Sequence, residues 1–240
     1  RNPESVRVRR MFVGHYAVGL AAKRATPALS LGLLFGAAQL ADLLWPNLLL
    51  AGVEKLAIVP GATAVNPLRF VSYPWSHSLV ALVAWGLLLA GLVLLLRRGR
   101  RFEAGMVVAV VVSHWLLDVA SHVPDMPITL AGEARLGFGL WRSLPWTLAV
   151  ELLLLASGSA VYLRSTRARD RIGSLGLGVM LLLLVTIYGA SLFGPPPPSV
   201  QAVAWSAQGL WLFVLFAWWV DRHRESRSLP PERRAIPSVP

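Results

Sequence analysis

The chain has 240 residues, 55% of them hydrophobic and only 15% charged, with a mean hydropathy of +0.59 and a net charge of +11. That composition excludes an ordinary soluble domain and predicts an all-α fold, a polytopic membrane helix bundle. The absence of cysteine excludes disulfides and thiolate metal ligands. The surplus Lys and Arg gather in short loops between apolar runs, which reads as topology-setting charge and excludes a nucleic-acid surface.

Residues 1–10 carry four arginines and no Met, and read as an upstream extension or flexible basic arm, with Met11 as the natural start. Residues 11–225 form the membrane-embedded helical domain. Its first segment, 11–22, is apolar but short, and reads as a half-helix dipping into the bundle or lying in the membrane plane. It lacks the pattern of a cleavable signal peptide. Six stretches follow that are long enough to cross a bilayer, which takes about 20 residues: 27–50, 77–96, 104–122, 143–163, 173–193 and 200–220. Gly194–Ser199, with four prolines in a row, reads as a stiff extended turn. The polar, proline-containing stretch 226–240 reads as a disordered cytoplasmic tail.

Charge sets the orientation. Lys23 and Arg24 precede the first span. Arg97, Arg98, Arg100 and Arg101 fill one loop, Arg164, Arg167, Arg169 and Arg171 another, and Arg222, Arg224 and Arg227 open the C-terminal segment. The alternate loops hold only Lys55, Arg69, Arg135 and Arg142. The positive-inside rule places the first set, with the C-terminus, in the cytoplasm, and loops 51–76, 123–142 and 194–199 outside. Trp45, Trp75, Trp141, Trp146 and Trp205 then fall near outer ends and Trp218 and Trp219 near an inner end, as an interfacial belt.

Within this frame the ionisable residues of the spans stand out, because such groups are costly in a membrane and face the bundle interior. His114, Asp118 and His122 are spaced i, i+4, i+8, so each lies roughly 40° round the helix from the last and the three form one polar stripe. Asp42, His77, Asp125 and Glu151 fall at similar depth in the outer half. His15 joins them, somewhat deeper, if 11–22 is a half-helix. Imidazole and carboxylate on one face are what a divalent metal, above all zinc, requires. Each residue also has a structural alternative. His15 and Glu151 suit interhelical hydrogen bonds, His77 a helix cap, Asp42 a salt bridge to Arg69 or Lys55, and Asp125 a loop. His223, in the run Asp221–Glu225, reads as solvated and outside any site.

The Gly14-His15 start, Leu40-Ala41-Asp42-Leu43-Leu44-Trp45-Pro46, Ser76-His77-Ser78 and Ser113-His114-x-x-x-Asp118 recur in an order that resembles the YdjM-like family of bacterial inner-membrane proteins, assigned as metal-dependent hydrolases. The likeness covers roughly residues 11–125. It implies a multi-pass protein of the bacterial cytoplasmic membrane. The order of ligands is also similar to that of zinc-dependent phospholipase C and P1-type nucleases, which split phosphate esters with three zinc ions. Carried over, that similarity implies a first zinc on Asp42, His77, His114 and Asp118, a second with His122, and a third with His15, the chain's amino end and Asp118. Ala41 and Leu44 stand where the membrane family has Pro and a second Asp. Ser72–Trp75 replaces its further His and Arg, and the second His-x-x-x-Glu pair of the phospholipases is missing. One or two ions are therefore expected instead of three.

The function expected is a membrane-embedded, metal-dependent hydrolase acting on a phosphoester or lipid-like substrate, a phospholipid or isoprenoid phosphate, near the outer leaflet. Asp125 or Glu151 is expected as general base, and Arg142 reads either as an interfacial topology residue or as a partner for an anionic headgroup. Two other classes stay open: an ion- or proton-coupled transporter using the same groups, and a structural protein whose polar stripe only joins helices.

Overall fold

The computed structural model describes residues 13–227. The basic arm 1–10, Met11 and the tail beyond 227 lie outside the described residues. In chain order the helices α1 (Val13–Ala25), α2 (Leu31–Ala38) and α3 (Leu40–Leu50) are followed by an antiparallel hairpin, β1 (Lys55–Ile58) and β2 (Leu68–Ser72). A single turn, α4 (Pro74–His77), leads into the long helices α5 (Leu79–Leu96) and α6 (Arg101–Ser121). A small ribbon of β3 (Met126–Pro127) and β4 (Arg135–Leu136) and a 3-10 turn (Leu140–Arg142) precede α7 (Leu144–Ser165). Then come β5 (Thr166–Ala168), α8 (Arg171–Phe193), α9 (Val200–Ala207), α10 (Leu210–Arg222) and β6 (Arg224–Ser226), which pairs antiparallel with β5.

Among the described residues, five helical stretches are long and apolar enough to cross a membrane: α5, α6, α7, α8 and the α9–α10 stretch. The pair α2–α3 makes a sixth if counted as one span, but it is bent by 56° at Gln39. The expected span over 27–50 is therefore bent in the middle, as a broken span or a re-entrant loop is. The bend carries Asp42 on α3 towards the bundle axis. It also leaves the polar Gln39 side chain fully buried.

Within the segment expected as a half-helix, the described residues from Val13 on form the helix α1, most of which is buried against the rest of the bundle. α1 packs along α7, where a Cβ on Gly158 would stand 2.4 Å from the Ala17 carbonyl oxygen. Only glycine lets the two backbones approach this closely. A helix that starts inside an apolar bundle exposes N–H groups with no partner of their own. The Glu151 carboxylate on α7 meets that need, accepting from Val13 N at 3.0 Å and Gly14 N at 2.8 Å.

The basic residues expected on one side do share one end. Arg97 donates to the Ala28 carbonyl, Lys23 donates to Leu29 O and pairs with Asp221, and Arg169 N donates to His223 O. The run Asp221–Glu225 is not solvated as expected. Arg224 is buried, donating to Thr166 Oγ1 and to Gly173 O, while Asp221 accepts from Lys23, Leu31 N and Tyr162. His223 bonds Asp170 at this end, far in the fold from the other histidines. Together with the Gly173 N–H, it holds the Asp170 carboxyl below its ordinary pKa.

Two apolar clusters fill the interior. One unites α2, α3, α5 and α6, with Leu34, Ala41, Leu82, Val107 and Val111; the other unites α1, α7, α8 and α10, with Leu20, Leu155, Leu184 and Phe213. Burial of such side chains is the main stabilising term of the core, at about 25 cal/mol per Å2 of apolar surface for the part removed from water. His15, Asp42, His77, His114 and Asp118 collect in a second place, apart from the Lys23–Asp221 pair.

Candidate metal centre

Five of the sequence-predicted ligands converge from four elements. α1 supplies His15, α3 Asp42, α4 His77, and α6 both His114 and Asp118. Two overlapping sets, His15–Asp42–His114 and His77–His114–Asp118, each have one donor atom per residue within 4.8 Å of the others. Asp118 turns one oxygen to each side, with Oδ1 3.2 Å from His15 Nε2 and Oδ2 3.2 Å from His114 Nε2 and 3.9 Å from His77 Nε2. Asp42 lies 3.5 Å from His77 Nε2 and 4.0 Å from His114 Nε2. The expected salt bridge from Asp42 to Arg69 or Lys55 is not formed; its ion-pair partners within reach are these two histidines.

Ligands in a tetrahedral shell at zinc–nitrogen and zinc–oxygen distances stand roughly 3.3 Å apart, and hydrogen-bonded N–H···O partners stand about 2.7–3.2 Å apart. The nitrogen–oxygen pairs here span 3.2–4.0 Å, and His114 Nε2 is buried without a hydrogen bond although Asp118 Oδ2 is 3.2 Å away. His15 Nδ1 is likewise buried without a hydrogen-bond partner, and the His15 ring stacks on His114 at 3.8 Å.

The far sides of two rings are fixed. His114 Nδ1 lies 2.8 Å from the carbonyl oxygen of Ala38, beside the α2–α3 break. An oxygen with only lone pairs requires a proton on Nδ1, which leaves the Nε2 lone pair facing the carboxylates. His77 Nδ1 lies 2.6 Å from Ser76 Oγ, and that hydroxyl donates to Glu54 Oε2 at 2.6 Å while Ser76 N donates to Glu54 Oε1 at 2.8 Å. Its one proton being given to Glu54, Ser76 accepts from His77, and His77 too presents Nε2 as a lone pair. These buried His and Asp groups can hold a metal ion. The donor set is the hard-oxygen and imidazole mixture that suits a first-row divalent ion.

The other expected residues stand nearby with different partners. His122 caps α6 and is absent from both donor sets. Its Nδ1 bonds Asp125 Oδ1 at 2.9 Å, and its ring packs on Trp141 at 4.0 Å. Asp125 also accepts from the Tyr73 hydroxyl at 3.2 Å. Burial, followed by the Asp125 charge, pushes that phenol well above its ordinary pKa, so it remains a donor. Glu151 is engaged at the start of α1, one residue before His15, and so positions a ligand instead of facing the cluster. Arg142 is exposed and outside the cavity wall, which removes the expected headgroup contact.

The cluster opens on a cavity of about 520 Å3, within the size range of small-ligand sites. His15, Asp42, His77, Asp118 and His122 line one part of it, and Phe70, Leu183, Ile187, Phe213 and Phe216 line others. Among the described residues no Lys or Arg lines the wall, which Asp42 and Asp118 face. Trp45 and Trp141 are buried in that wall and do not belong to the interfacial belt, whereas Trp75, Trp146 and Trp205 are exposed as the belt requires. Glu54, Gln39 and Asn66 were not distinguished by the sequence. Glu54 sits beside Lys55 in what reads as a plain loop, and its partner Ser76 is 22 residues away.

No protein-family model matches the chain, and neither a curated protein nor a solved structure does. The chain stands as a helical bundle of the multi-pass membrane class with a buried His/Asp cluster able to hold metal.

Proposed function

We propose that the protein is a metal-dependent hydrolase of the bacterial cytoplasmic membrane, acting on a phosphoester carried by a lipid-like molecule near the outer leaflet. The observation that carries this reading is the cluster itself: oriented imidazole nitrogens and two carboxylates close enough to share an ion, at the wall of a cavity. The resemblance of the Asp42, His77 and His114–Asp118 segments to the YdjM-like family adds support from the sequence. Asp42, His77, His114 and Asp118 would hold a zinc-type ion, with His15 on the free oxygen of Asp118. When bound, such an ion acidifies water and polarises the ester.

The chain's own groups supply the rest. Asp125 holds the His122 Nδ1 proton, which leaves Nε2 to accept a proton from water at the cavity wall. The water oxygen bonds to phosphorus, the ester P–O bond breaks, and the leaving alcohol takes up a proton. Asp125 thus acts through His122, and Glu151 through α1. The apolar wall excludes bulk water, which strengthens each electrostatic contact in the site.

Elemental analysis of the detergent-purified protein, beside His114→Ala and Asp118→Ala, tests the reading. Near-stoichiometric zinc or manganese, lost in both variants, is expected, followed by release of phosphate or alcohol from lipid phosphoesters. A wild type that takes up no metal on reconstitution overturns it in favour of proton-coupled transport or helix packing.

A further inference from the structure

The cavity has two chemically different ends. At one end are the His/Asp cluster and three wall residues, Trp45, Asn66 and Trp141. At the other end the wall is built from α8 and α10. Leu183 and Ile187 stand one turn apart on α8, and Leu212 and Phe216 one turn apart on α10, so each helix gives the cavity one stripe.

Leu183, Ile187 and Leu212 line the cavity and are also 40%, 42% and 67% exposed, respectively, on the bundle surface. A side chain that does both marks the rim of an opening. Towards the basic end the same two helices are locked together. A Cβ on Gly173 would meet the His223 carbonyl oxygen, and Arg224 Nη1 donates to Gly173 O at 2.7 Å. Leu183 lies about 18 Å along α8 from its basic end, at the 1.5 Å rise of a helix. Pro195 and Pro197 of the loop after α8 also line the cavity, and Pro195 is exposed, so the opening runs from mid-α8, at the depth of hydrocarbon, up to that loop.

We infer that this cavity is the slot of a membrane amphiphile. Its oxygen-rich headgroup sits at the His/Asp end, on the ion that the cluster would hold, and its single alkyl or isoprenyl tail leaves sideways between the distal halves of α8 and α10. The assignment of the headgroup end rests on the hydrolase reading; the tail exit rests on the rim alone. A second groove, between α2, α5 and α10, has an all-apolar wall that includes Leu33, Leu89 and Trp211 and offers no headgroup contact.

The test uses the full chain in phosphatidylcholine vesicles with a trace of a single-chain alkyl phosphate bearing a diazirine at mid-chain, followed by irradiation and peptide mapping. Adducts are expected to concentrate on residues 183–190 and 209–216. Unlabelled alkyl phosphate should compete, and inorganic phosphate should not. The Ile187→Trp/Leu212→Trp variant fills the exit and should cut labelling about tenfold, the effect of denying the site two or so buried methylenes. Should that variant fail to fold, Leu212→Trp alone, at the most exposed rim position, carries the same expectation. Labelling spread evenly over α5, α7 and α8, centred on the second groove, unchanged by the plug, or displaced equally by inorganic phosphate overturns the inference. Failure of the hydrolase reading looks different. A wild type without metal, yet labelled at the α8–α10 rim, keeps the tail slot and removes the chemistry.

Discussion

The bundle contains two buried polar clusters, one at each end, and they are built on opposite rules. At the basic end Lys23, Asp221, Tyr162 and Arg224 meet donors with acceptors at 2.6–3.1 Å, and positive charge matches negative. At the other end three histidines and two carboxylates stand 3.2–4.0 Å apart, with ring nitrogens left over and no Lys or Arg beside them among the described residues. The first cluster is complete as protein. The second brings together His and Asp groups that can hold a metal ion, and its helices are held in place by groups outside it: Ala38, Ser76, Glu54 and Glu151.

The comparison breaks most readily at the basic end. Removing one partner of a buried ion pair leaves an uncompensated charge and costs about 3–5 kcal/mol. Lys23→Met or Asp221→Ala should therefore lower thermal stability in detergent more than any change at the metal centre, while the folded fraction still binds metal at wild-type stoichiometry. Loss of metal without loss of stability in these variants would erase the distinction between the two clusters.

Glu54 sharpens it. If the Glu54–Ser76–His77 chain orients the ligand, Glu54→Ala should weaken metal affinity roughly 10–100-fold, the usual cost of removing an outer-shell partner, and should perturb the visible spectrum of the cobalt-substituted protein. In a His77→Ala background the same change should have almost no further effect, because coupled residues are non-additive. Equal effects in both backgrounds would make Glu54 a fold determinant only. Glu151 comes next. Glu151→Gln removes the charge from two hydrogen bonds at the start of α1 and should cost about 1–2 kcal/mol. Glu151→Ala should in addition loosen α1, read as faster amide exchange at Val13 and Gly14, and lower affinity for metal through His15.

The sequence carried the class of fold and most of the site for a physical reason. An ionisable residue inside an apolar run has no cheap explanation in lipid, so Asp42, His114 and Asp118 announced themselves one by one. Charge asymmetry located the basic end because many residues vote on it. Features that depend on contacts across the fold were not legible. The break at Gln39 has no Pro or Gly to mark it. Glu54 looks like any loop acid until Ser76 is placed on it. Trp45 and Trp141 have the same spacing from span ends as belt tryptophans, and only packing turns them into a cavity wall. The Asp221–Glu225 run reads as solvated by composition, yet Asp221 and Arg224 are drawn in by Lys23, Tyr162 and Thr166, which come from elements far away in sequence.

The smallest effect lies at the edge of the basic end, where Asp170 caps α8 and accepts from His223 Nδ1 at 2.7 Å and Gly173 N at 2.9 Å. Its carboxyl is held below the ordinary value, by the His223 bond first and the Gly173 N–H second. A carboxyl depressed in the folded state adds stability that is fully present above its unfolded pKa and is lost as pH falls through the folded one. The contribution should thus be in place at neutral pH and fade only under distinctly acid conditions. The site is exposed and screened by salt, so the change should be slight. Comparing the melting temperatures of wild type and Asp170→Asn across that range, in low salt and high salt, checks it: the two curves should converge at acid pH. A gap that persists there would show that the cap acts through its neutral hydrogen bond to Gly173 alone, and that charge at the basic end sets topology without adding to stability.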